Sequence, residues 1–160
     1  MLLPRVLLML SLLLCAGAAA LAQSDSLEMA RLVDEVAEKQ LNKEYNWVVE
    51  RCAALAPITS VQYPYLHYKL TRFEAYAWRD LGKEQEAVRC FDALGHWVNG
   101  AWPEADTMQA VVLQNRASFE RKGGRHDVRA RCLNAALAHF KQYRPADVAA
   151  RLRLYNRLVY

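Results

Sequence analysis

The chain has 160 residues, 21 Lys+Arg against 17 Asp+Glu, and a formal net charge of +4. So small and well mixed a balance is too weak to argue for a nucleic-acid partner, and the export expected from the N-terminus argues against one. Four cysteines in 160 residues are too sparse for a disulfide framework.

At the N-terminus Arg5 is the only charge before Asp25. It precedes an apolar run through Leu14, then a small-residue stretch closing at Ala20-Leu21-Ala22. This is the layout of a cleavable secretory signal, so residues 1–22 are expected to be removed. Residues 23–160 are then expected to form one domain, soluble in the bacterial periplasm or secreted. The other reading is a retained anchor, for which the apolar run is short. Cys15 follows Leu14 rather than a small residue, so acylation there is not expected. No later segment is long and apolar enough to span a membrane.

The remaining chain reads as seven helices and no strand. Met29, Val33, Val36, Ala37 and Gln40 or Leu41 share one face of a helix from Ser26, the expected cap, to about Leu41. A second runs from Glu44 to Ala56 with Val48, Cys52 and Leu55 inward, and Pro57 and Pro64 bracket a break. The third, from Gln62 to Leu81, has the clearest period: Leu66, Leu70, Phe73, Ala77 and Leu81 are 4, 3, 4 and 4 residues apart. Gly82 ends it, as a left-handed C-terminal glycine would. Three more are expected over Glu84 to Val98, Glu104 to Lys122, and Arg125 to Tyr143. A last helix, Ala146 to Val159, places Val148, Leu152, Tyr155 and Val159 on one side as a cap. Gly95 to Pro103 reads as a loop between the fourth and fifth helices.

Tight turns near Lys43, Gly82 and Gly123 recur at intervals of 39 and 41 residues, a period of helical-hairpin repeats. Around the second turn, Ala75, Trp78, Gly82, Ala87 and Phe91 resemble the core pattern of the tetratricopeptide repeat family. Small residues there let two helices approach, and aromatics fill the angle between them. The first and third pairs depart from it, with Lys43 in place of a turn glycine and Val128 and Cys132 at the small and aromatic positions of a pair that keeps Phe119, Gly123 and Ala135. Glu74 stands where the family has a large aliphatic residue. The resemblance implies an all-α fold of three stacked antiparallel hairpins in a right-handed superhelix, closed by a C-terminal helix. It also implies a concave groove lined by the first helix of each pair.

Mapped onto the central pair, that groove takes Lys69, Arg72, Tyr76, Arg79 and Asp80. Independently of the resemblance, Tyr65, Lys69, Arg72, Tyr76 and Arg79 share a helical stripe whose cations suit an acidic peptide or a carboxylate. Against this stands a plain solvated face. Trp97 and Trp102 are candidate contacts if exposed on their loop, or a hydrophobic plug if folded back. Cys52, Cys90 and Cys132 read as core thiols, with Cys52–Cys90 the candidate disulfide. No metal-ligand spacing, cofactor motif or catalytic motif is present.

The expected function is therefore a non-enzymatic, exported module that binds a peptide or protein partner along its concave face. Two other readings remain open. One is a small-ligand binder or enzyme with a pocket near residues 95–103 and His96. The other is a structural subunit of an envelope assembly, with apolar patches around Leu154 and Tyr160.

Overall fold

A computed structural model describes residues 25–159. The expected signal, residues 1–22 with Cys15, lies outside the described residues, as does Tyr160. Among the described residues the chain is all-α, without strands. Helix α1 covers residues 25–41. It is followed by α2 (Tyr45–Gln62), α3 (Pro64–Asp80), α4 (Glu84–Ala101), α5 (Met108–Lys122), α6 (His126–Tyr143) and α7 (Val148–Val159). None of these helices is long and apolar enough to cross a membrane.

The three tight turns are built alike. Lys43, Gly82 and Gly124 have φ values of 65°, 76° and 73°, the left-handed region. At each, the turn residue's N–H donates to the carbonyl three residues back, and the next N–H to the carbonyl five back. The pairs are Lys43 to Gln40 and Glu44 to Lys39, Gly82 to Arg79 and Lys83 to Trp78, and Gly124 to Arg121 and Arg125 to Glu120. These paired hydrogen bonds satisfy carbonyls that a helix end would otherwise leave open. Gly123 has a φ of −83°, so the third turn residue is Gly124 and the intervals are 39 and 42 residues.

Counting from these residues puts the hairpins in one register. Seven positions before the turn stand Val36, Ala75 and Ala117, all buried. Nine positions after it stand Cys52, Phe91 and Leu133, and twelve after it Leu55, Leu94 and Ala136, again all buried. The expected match of the third pair at Ala135 is thus one residue off, and Ala135 is exposed.

The chain divides into two compact units, with the boundary inside α3 between Phe73 and Glu74. The first unit buries Val33, Val36, Val48, Cys52, Leu55, Tyr68 and Leu70. Its buried Thr59 donates to the Leu55 carbonyl at 3.0 Å and lies 3.1 Å from His67 Nδ1. Burial holds the His67 pKa below its ordinary value. Pro57 sits inside α2 instead of ending it. The carbonyl it leaves without an N–H partner belongs to Ala53, and both residues are exposed, so water can supply the missing bond.

In the second unit, α5 packs on α4 and α6, and α6 on α7. Ala75, Ala87, Phe91 and Phe119 form one apolar cluster. Ala110, Ala117, Leu133, Ala136, Leu137, Phe140, Ala150 and Leu154 form another. The expected inward face of α7 is reversed. Val148, Leu152 and Tyr155 are exposed, whereas Ala150 and Leu154 are buried and Leu158 packs beside them. Leu154 is therefore core and not an exposed end patch. This helix carries two apolar stripes, and α6 selects the one with the small Ala150, which permits a closer approach.

The expected loop from Gly95 to Pro103 is also corrected. Helix α4 runs on to Ala101, because Leu94 and Val98 continue its buried stripe and outweigh the two glycines. The connection that remains, residues 102–107, is tied to α6. His139 Nε2 donates to the Asp106 carbonyl at 2.7 Å, and the Tyr143 hydroxyl donates to Glu104 at 2.8 Å.

Candidate functional site

The stripe on α3 consists of cations that already have neighbours. Lys69 Nζ lies 5.2 Å from the Tyr65 ring centre, and the Arg72 guanidinium lies 5.6 Å from that of Tyr68. Arg79 lies 4.8 Å from the Tyr76 ring centre and forms an ion pair with Asp80 at 2.6 Å. The Arg79 side chain is only 17% exposed, so its charge is both covered and matched. Tyr65 alone of the five is exposed.

Trp97 and Trp102 fold together, edge to face, with ring centres 5.2 Å apart, and both are half-buried. The thiols do not form the candidate Cys52–Cys90 bridge, and no disulfide joins the described cysteines. Cys52 is buried and donates to the Leu70 carbonyl at 3.4 Å. Burial, with Glu74 and Glu86 nearby, pushes the Cys90 thiol up to about 12. It therefore stays protonated and unreactive at neutral pH.

The second unit is organised around a buried carboxylate. Glu120 on α5 has a fully buried side chain. It is gripped from both sides by the Nε of Arg116, one turn earlier, and the Nε of Arg125 beyond the turn. Arg125 continues to Glu84 at 2.6 Å, and Arg116 to Asp92 at 3.2 Å and to the Val88 carbonyl at 3.1 Å. Both guanidinium groups also lie over the Phe119 ring, at 5.9 and 5.6 Å. The chain of charges thus clamps α4 to α5 and to the start of α6. A buried carboxylate persists only when its desolvation is offset by such pairing.

Beside this clamp, α4, α5 and α6 enclose a cleft of about 420 Å³. Its walls are Phe91, Val98, Val112, Leu113, Val128 and Cys132. Its polar lining comes from Asp92, His96, Asn99, Gln109 and Arg116. The two charges in that lining, Asp92 and Arg116, neutralise each other. His96 and Asn99 are exposed side chains on α4, one and two helical turns beyond Asp92, and they offer hydrogen bonds at the rim.

Gly95 also lines the cleft. It lies inside α4, and a Cβ placed on it would meet no atom within 4 Å. Neither a left-handed backbone nor close packing requires glycine there. A glycine in a helix interior costs roughly 1 kcal/mol relative to alanine. What its missing side chain leaves is open space in the cleft wall.

No protein family matches the chain, and neither a curated protein nor a solved structure is significantly similar to it.

Of the expected site residues, the cleft takes up His96, which accompanies the 95–103 segment; Trp97 and Trp102 do not line it. Glu120 and Arg116 escaped the sequence reading because a Glu and an Arg four apart on a helix look like a solvated pair. A signal was present in the register. Glu120 stands four residues before its turn glycine, where the second hairpin carries Trp78, so an interior position was foreseeable.

Proposed function

We propose that the chain is an exported helical-hairpin module that binds a peptide segment of a partner protein, and that the α4–α5–α6 cleft is where it binds. The single observation that carries this reading is the open, apolar-walled cleft kept clear by Gly95. Its volume falls in the lower part of the range typical of ligand sites, roughly 300–1,000 Å³. That suits one or two apolar side chains rather than a whole cofactor. The rim of His96, Asn99 and Gln109 can exchange hydrogen bonds with the backbone amides that flank such an anchor. Because Asp92 and Arg116 cancel, the cleft favours an uncharged anchor. The α3 stripe of Lys69, Arg72, Tyr76 and Arg79 contributes less, since its cations already rest on rings or on Asp80. The tetratricopeptide-like hairpin pattern supports the module reading, and the signal-like residues 1–22 support export.

The test is selection of binders from a displayed random-peptide library on the purified protein, followed by affinity measurement with a synthetic selected peptide. Leu113→Arg, which places a charge in the apolar wall, is expected to weaken binding by about tenfold or more. Lys69→Glu combined with Arg72→Glu is expected to leave it within about twofold. The reverse pattern would move the site back to α3.

A further inference from the structure

A second cavity, of about 280 Å³, lies in the second unit among α5, α6 and α7. Arg121, Arg129 and Arg157 line it, one from each helix, with Ser118 and the apolar Ala117 and Leu133. Among the described residues no carboxylate lines it. Among the described residues, no ion pair uses any of these three arginines, whereas Arg116, Arg125 and Arg131 of the same unit each meet a carboxylate.

The repeat register shows why this is unusual. Five positions after the turn residue, the first hairpin has Val48 and the second Ala87, both with no exposed surface. The third has Arg129, only half-buried, with a cavity beside it. An arginine thus occupies a slot that the other two hairpins fill with an apolar side chain. One Arg129 N–H caps the carbonyl of Arg157 near the end of α7, and Arg157 donates to Gln114 at 3.3 Å. A guanidinium has five N–H donors, so most remain for a ligand.

We propose that Arg121, Arg129 and Arg157 form a binding site for a doubly charged tetrahedral oxyanion, a phosphate group. Three arginines lining one cavity, with no counter-charge among the described residues, are balanced better by a dianion than by one carboxylate. Guanidinium forks also match phosphate oxygens in pairs. The site is separate in its residues from the peptide cleft and does not depend on it.

Isothermal titration calorimetry on the purified protein at constant ionic strength tests this. The probes are inorganic phosphate, glycerol phosphate as a phosphomonoester, and acetate. The variants are Arg121→Gln, Arg157→Gln and Arg129→Ala, the last restoring the residue type of the second hairpin. Thermal melts of each variant verify folding. Phosphate or the monoester is expected to bind, acetate at least tenfold more weakly, and each variant to lose roughly tenfold or more in affinity. Tighter binding of the monoester assigns the site to a phosphate carried on a larger molecule, and tighter binding of inorganic phosphate assigns it to the free ion. No binding of either probe, equal binding of acetate, or full affinity in folded variants would overturn the proposal.

Discussion

The two units of the chain solve the same packing problem with different chemistry. The unit that ends at Phe73 buries valines, leucines, a methionine, a tyrosine, a thiol and a threonine hydroxyl bonded to its own helix. The unit that begins at Glu74 buries a full carboxylate, Glu120, between two arginines and against Phe119. Apolar packing is lost in proportion to the volume removed, whereas a buried ion pair fails as a whole when one partner goes. The difference teaches where the molecule is rigid: the charge clamp fixes α4 and α5, the walls of the proposed cleft.

The largest expected effect follows from that contrast. Glu120→Gln leaves Arg116 and Arg125 facing a neutral group and is expected to cost about 3–5 kcal/mol in urea unfolding. Thr59→Val, the corresponding removal of a buried polar group from the first unit, is expected to cost about 1 kcal/mol. Equal costs would erase the distinction between the units.

A smaller effect compares their turns. Lys43 holds a φ of 65° in the first unit, where Gly82 holds 76° in the second without strain. Lys43→Gly is expected to stabilise the protein by about 1 kcal/mol, and Gly82→Ala to destabilise it by a similar amount, in the same unfolding assay.

The smallest concerns a second carboxyl in the second unit, one that no arginine pairs with among the described residues. Burial raises the pKa of Glu74 above 4.5, opposed by hydrogen bonds with Trp78 and Cys90. The folded state therefore holds this proton at pH values where the unfolded chain has released it, and stability falls as pH rises from about 4.5 through the folded value. Glu74→Gln removes that slope. The variant is expected to exceed the parent in melting temperature at pH 7, with the gain shrinking toward pH 4. A gain independent of pH would assign the effect to packing instead.

The hairpins themselves were legible in the sequence. The 3.6-residue spacing of Leu70 and Ala77, the left-handed Gly82 and the pair Ala87 and Phe91 all depend on local chemistry, and all stand as expected. Turn placement at Lys43 was legible too, because the period demanded it where the residue type did not. Long-range effects were not legible. Gly95 and Gly100 looked like a break because helix propensity is a local quantity, whereas the burial of Leu94 and Val98 that carries α4 through them is tertiary. The two apolar stripes of α7 could be ranked only once α6 was beside it. The cleft needed three helices to exist: of its lining the sequence points only to His96 as a pocket residue, while Phe91, Val128 and Cys132 read as core and Gly95 as a break.

Gly95 gives the most direct test of the account, because stability and binding should move in opposite directions there. Gly95→Leu replaces a helix-weakening residue with a strong helix former in open space, so its unfolding free energy is expected to rise by about 0.5–1 kcal/mol. The same side chain should fill the cleft and weaken the selected peptide by about tenfold or more. A variant that is more stable yet binds the peptide as tightly as the parent would contradict the assignment of the cleft as the binding site.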